Sequence, residues 1–97
     1  MIKAFEKWVT SHRRELEHKG IAVDFARRDS PSPAAVVTLE SKSLVGSITV
    51  WDSGACDLHM LSYETGEPVI GDRYDFQSIA EIEPVWEGVL RRMVGNN

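Results

Sequence analysis

The 97-residue chain has one cysteine, four prolines and no apolar run near the roughly 20 residues that span a bilayer. A lone thiol, Cys56, cannot form an internal disulfide, which fits a reducing compartment. There is no Cys-x-x-Cys, no His-Glu-x-x-His and no glycine-rich phosphate loop, so the spacings that mark zinc sites or nucleotide-binding turns are missing. The three histidines, His12, His18 and His59, are scattered. Basic residues are scarce where acidic ones gather: residues 52–87 hold nine Asp/Glu against Arg73 alone. Phosphate binding needs clustered Lys and Arg, so this argues against nucleic acid as the main ligand. An acidic segment suits a basic protein surface instead, the alternative being a solvated face that keeps a small domain soluble.

What is present reads as one soluble α+β domain over residues 1–97. At 42% apolar and 27% charged, the composition supports a single core rather than disorder. The first residues are amphipathic and already carry Glu6, which speaks against a signal peptide and for a cytoplasmic protein.

The central stretch, residues 44–63, predicts a hairpin. Two apolar, β-branched runs flank Asp52, Ser53 and Gly54, a break short enough for a tight turn. The strand period of two puts Ile48, Val50, Cys56, Leu58 and Met60 on one uniformly apolar face. Ser47, Thr49, Trp51, Asp57, His59 and Leu61 share the other, mixed face. Glycine at 46 points to a bulge or a close backbone approach.

Around the hairpin, Ile2, Phe5, Val9, His12 and Leu16 recur at helical spacing, and Gly20 after His18 and Lys19 marks the stop. His12 falls at the edge of that stripe as a packing residue. Ile21, Val23 and Phe25 alternate inward in a first strand; a loop with Pro31 and Pro33 and a strand over 35–40 follow. After a turn at Gly66, residues 69–76 form a last strand with Ile70, Tyr74 and Phe76 on one face. Ser78 and Glu81 have capping-box spacing, and Ile79, Ile82, Val85, Trp86, Val89, Leu90 and Met93 form a second helical stripe. Pro84 interrupts it, predicting a kink or a short first turn before the main helix. Helix, about five strands and helix imply an antiparallel meander with both helices on one face, leaving the other uncovered. The expected core joins Phe5, Val9, Leu16, Trp86, Val89 and Leu90 to Ile48, Val50, Leu58 and Met60.

Chemistry has little support in these residues. Cys56 and His59 face opposite sides of a strand, so they do not make a nucleophile–base pair or share a metal. Asp52 and Asp57 flank a turn, where Asp is common for backbone reasons. Trp51 is the exception: an outward indole next to His59 and Leu61 on an uncovered sheet has the composition of a binding hot spot. Its alternative is an indole packed under a loop or a neighbouring side chain.

Residues 46–57, the turn Glu64, Thr65, Gly66, Glu67 and the strand containing Tyr74 resemble small bacterial immunity proteins of the TriTu type. The resemblance, which covers nearly the whole chain, implies a non-enzymatic protein with no cofactor or metal. It also implies a partner: an ADP-ribosyltransferase toxin, the C-terminal domain of an Rhs-repeat type VI secretion effector that modifies elongation factor Tu. On this expectation a monomer forms a 1:1 heterodimer and occludes the toxin's cleft. Trp51, His59 and Leu61 are then the apolar anchor, with Asp52, Asp57, Glu64 and Asp72 as flanking charges. The rival readings are a small adaptor or chaperone that binds a basic surface through the sheet face, and a hydrolase or metal enzyme using the carboxylates and His59.

Overall fold

A computed structural model of the chain describes residues 2–29 and 32–95, apart from the side chains of Ile70 and Ile79. The expectations for those two isoleucines, for part of the proline loop and for the last two residues lie outside what is described. The order is α1 (Ile2–His18), β1 (Ala22–Arg28), β2 (Ala34–Glu40), β3 (Leu44–Trp51), β4 (Ala55–Ser62), β5 (Pro68–Asp75) and α2 (Ile79–Gly95). The strands form one antiparallel sheet in sequence order, β1-β2-β3-β4-β5, the expected meander.

Helix α1 buries Ile2, Phe5, Trp8, Val9 and Leu16, a stripe at three- and four-residue spacing. It ends in a Schellman motif. Gly20 adopts φ 85°, its N–H donates to the Glu17 carbonyl at 3.1 Å, and the Ile21 N–H donates to the Leu16 carbonyl at 2.9 Å. Leu16 and Ile21, joined by that bond, are both buried, so the cap also turns the chain into β1.

Alternation along the strands sets up the core. Val23, Leu39, Gly46 and Met60 lie in one row across the sheet; Phe25, Val37, Ile48 and Leu58 lie in the next. Ala35, Val50, Cys56 and Tyr74 make a third. All three rows face the helices, and every residue of the expected core is found there. Gly46 keeps regular register, so no bulge forms at it. A Cβ there would come within 3.2 Å of the His59 carbonyl and 3.5 Å of the Met60 side chain, which fills the space instead. The register shift lies elsewhere, between Met60 and Leu61 where β4 meets β5.

Trp86 joins the two helices to the sheet. Its ring lies 4.8 Å from Phe5 and 4.9 Å from Trp8, both in tilted arrangements that suit the aromatic quadrupole. The buried indole Nε1 finds no acceptor with hydrogen-bond geometry. The Cys56 sulfur beside it receives only a weak interaction, and burial is what pushes that thiol's pKa up to about 11. Glu87 closes the seam between the helices, accepting from Trp8 Nε1 at 3.1 Å and pairing with His12 Nε2 at 3.3 Å. His12 is thus the packing residue expected at the helix edge. Helix α2 runs through Pro84 as one element, so the main helix does not begin there. At its start the Glu81 carboxylate accepts from the Gln77 N–H at 3.0 Å, one residue earlier than a capping box requires.

Candidate functional site

Because every helix contact falls on one side, the other side of the sheet stays uncovered, as the order of elements implies. The residues on this open face follow from register. Ala22, Glu40, Val45 and Leu61 form one row; Asp24, Thr38, Ser47, His59 and Gly71 form the next. Ala26, Val36, Thr49, Asp57 and Arg73 form a third, and Arg28, Ala34 and Trp51 end the series at the β3–β4 turn. Short side chains dominate the middle, so the larger groups stand at the two ends.

The first end centres on Trp51, which is half-buried. The Arg73 guanidinium lies over its ring, 5.4 Å from the centroid, and also reaches Asp57 at 3.4 Å. Pro33, Asp52 and Ala55 border a shallow hollow of about 320 Å³ beside the indole. Trp51 therefore combines the two sequence expectations: among the described residues no helix covers it, yet Pro33 borders it and a neighbouring cation lies over its ring. The indole is not set among negative charges alone.

Antiparallel pairing also separates residues that the sequence reading set side by side. His59 lies opposite Ser47 and Leu61 opposite Val45, four and six residues along β3 from Trp51. At the rise of an extended strand those offsets are about 13 and 20 Å. The three residues share a face, but Trp51 is not next to the other two. Asp57 is on the same face, and Asp52 and Glu64 lie in the turns at opposite ends. Asp72 pairs with Leu58 and so falls on the helix-facing side, exposed at the β5 edge. Tyr74 donates to it at 3.4 Å, and the phenol's pKa is raised by burial first and the Asp72 charge second.

The second end holds the two large apolar side chains most open to solvent among the described residues, Leu61 at 43% and Tyr63 at 51%. Tyr63 follows β4, its N–H bonded to the Ser43 carbonyl at 2.9 Å. Its hydroxyl reaches across β3 to donate to Glu40 on β2. That bond, then desolvation and the carboxylate's charge, raise the phenol's pKa. Sequence reasoning passed over Tyr63. Counting outward from Leu61 by two would have placed it on the same face.

The thiol and imidazole weighed in the sequence stay apart. Cys56 is fully buried and His59 is exposed on the other side, as the strand parity requires. Among the described residues no three His, Cys, Asp or Glu side chains come together in a way that could hold a metal ion. No helix among the described residues is long and apolar enough to cross a membrane. What remains is a broad surface able to meet another macromolecule.

A search of curated proteins returns no match. The family model described as Immunity protein TriTu matches residues 3–91, from the start of α1 to the last turns of α2. With most of its length covered, this chain belongs to the TriTu immunity protein family and so to proteins that neutralise a cognate toxin.

Proposed function

We propose that the protein binds the ADP-ribosyltransferase domain at the C-terminus of an Rhs-repeat type VI secretion effector and stops it from modifying elongation factor Tu. It acts in the cytoplasm as a monomer that forms a 1:1 complex, without catalysis or a cofactor of its own. The observation that carries this reading is a five-stranded sheet with both helices on one side, which leaves a whole face for a partner. Family membership supports a cognate toxin as the partner.

Electrostatics supports the way inhibition would work. A cleft that binds the pyrophosphate of NAD presents cationic groups, and residues 52–87 of this chain carry nine carboxylates against one guanidinium. Such complementarity speeds encounter and favours the cognate partner. On this reading Trp51, His59 and Leu61 contact the toxin along the open face, with Asp52, Asp57 and Glu64 around them. Asp72 is left out because it sits on the helix-facing side of β5.

The test uses the cognate toxin domain, labelled NAD and elongation factor Tu. One equivalent of the protein is expected to abolish label transfer, and co-expression to restore growth of cells making the toxin. Undiminished transfer at large molar excess would overturn the proposal.

A further inference from the structure

We infer that the anchor of the toxin contact is the Leu61–Tyr63 end of the open face, and that it receives an apolar toxin side chain flanked by Lys or Arg. This rests on the toxin-binding reading above and deepens it. Scattered single exposed hydrophobics need no explanation. Here the two most exposed large ones stand together, two residues apart on one face, with half-buried Val45 paired to Leu61 beneath them.

Two features make this end a better anchor than the Trp51 end. The first is preorganisation. Tyr63 is held at both its backbone, by Ser43, and its hydroxyl, by Glu40, so the ring stretches across β3 before any partner arrives. An aromatic held in its bound pose loses little entropy on association. The second is charge. Glu40, Glu64 and Glu67 take part in no salt bridge among the described residues, and Lys42 is the one cation in the adjoining β2–β3 turn. At the other end Asp57 is paired with Arg73, and the same guanidinium covers the indole. An unneutralised carboxylate rim around an apolar centre matches a partner with the opposite pattern.

Calorimetric titration into the NAD-free cognate toxin domain tests this. Tyr63→Ala is expected to weaken binding by at least about 30-fold, the loss usual for a hot spot, and Trp51→Ala by under about 5-fold. Glu64→Lys should weaken binding and flatten its salt dependence. Tyr63 and Glu64 are exposed, so circular dichroism should show both variants folded. If the unaltered protein binds but Tyr63→Ala and Leu61→Ala bind equally well, the anchor lies elsewhere and the toxin-binding reading stands. If the unaltered protein does not bind, that reading falls and takes this inference with it. Should sedimentation reveal a homodimer that Tyr63→Ala dissociates while toxin affinity holds, the patch is a self-contact and the inference is overturned.

Discussion

Arg73 lies over Trp51 and pairs with Asp57 in the same pose, 5.4 Å from the ring centroid and 3.4 Å from the carboxylate. One guanidinium thus lies over an aromatic of the open face and pairs with Asp57 on the same face. The guanidinium itself is exposed, and with such a cation a cation–π contact contributes about 0.5–1 kcal/mol and an ion pair about as little.

Arg73→Ala should therefore cost under about 1.5 kcal/mol in urea unfolding, while uncovering the indole. Trp8 and Trp86 are buried, so acrylamide quenching of the native fluorescence reports mainly on Trp51. Quenching is expected to rise clearly in the variant. An unchanged quenching constant would mean that the guanidinium does not cover the ring in solution.

Glu87 offers a second test, at the seam between the helices. It accepts from Trp8 Nε1 and pairs with His12, both on α1. Glu87→Ala leaves a nearly buried indole N–H without its partner and should cost about 1–2 kcal/mol. Glu87→Gln keeps an acceptor for Trp8 and should cost less. Equal losses in urea unfolding would show that the charge, and not the hydrogen bond, carries the contact.

Most of this architecture was legible because short-range periodicity controls it. The helix stripes, the strand parity of residues 46–60 and the stop at Gly20 each depend on neighbours within one or two turns of chain. Setting Trp51 beside His59 and Leu61 was a misreading that the sequence could have prevented: one precedes the turn at 52–54 and the others lie well past it, so an antiparallel hairpin carries Trp51 and Leu61 to opposite ends. The face of Asp72 was legible as well, since it alternates in step with Ile70 and Tyr74. Arg73 over Trp51 was not: it depends on how β5 registers against β4, and the shift between Met60 and Leu61 sets that register without any marker in residue type. Pro84 does not begin the main helix, which was one of the two outcomes its position allowed. A proline removes one helical hydrogen bond, but packing of Ile82, Trp86, Val89 and Leu90 around it keeps α2 continuous.

Two glycines with positive φ separate conformational cost from crowding. Gly54, at φ 101°, ends the β3–β4 turn, where an added Cβ would lie 2.1 Å from the Phe76 carbonyl oxygen. The Phe76 N–H also donates to the Gly54 carbonyl at 2.9 Å, so the two backbones cannot easily part. Gly66, at φ 70°, has nothing within 4 Å of the same position. Gly66→Ala should cost about 1 kcal/mol from the left-handed backbone alone. Gly54→Ala should cost about 3 kcal/mol or more, a large part of a small domain's stability. Equal losses in urea unfolding would show that the turn moves away from Phe76 freely.

Cys56 supplies the last prediction, because its environment sets both its reactivity and a pH dependence. Burial raises the thiol pKa most; the Trp86 indole lowers it and the Asp57 charge raises it, leaving it at about 11 against an ordinary value of 9.0. Ellman's reagent should therefore label the native protein at pH 8 far more slowly than free cysteine, since the thiolate is scarce and enclosed. The folded state also holds the proton more tightly than the unfolded chain. Below pH 9.0 both states keep it and the contribution to stability is complete; from there to about 11 only the unfolded chain ionises, and stability falls. Lysines and tyrosines titrate in the same range, so the measurement is a difference between the native protein and Cys56→Ala. The melting temperature of the native protein should fall more steeply over that window. Parallel curves, or labelling as fast as that of a free thiol, would place the sulfur in contact with water and contradict its burial against Trp86.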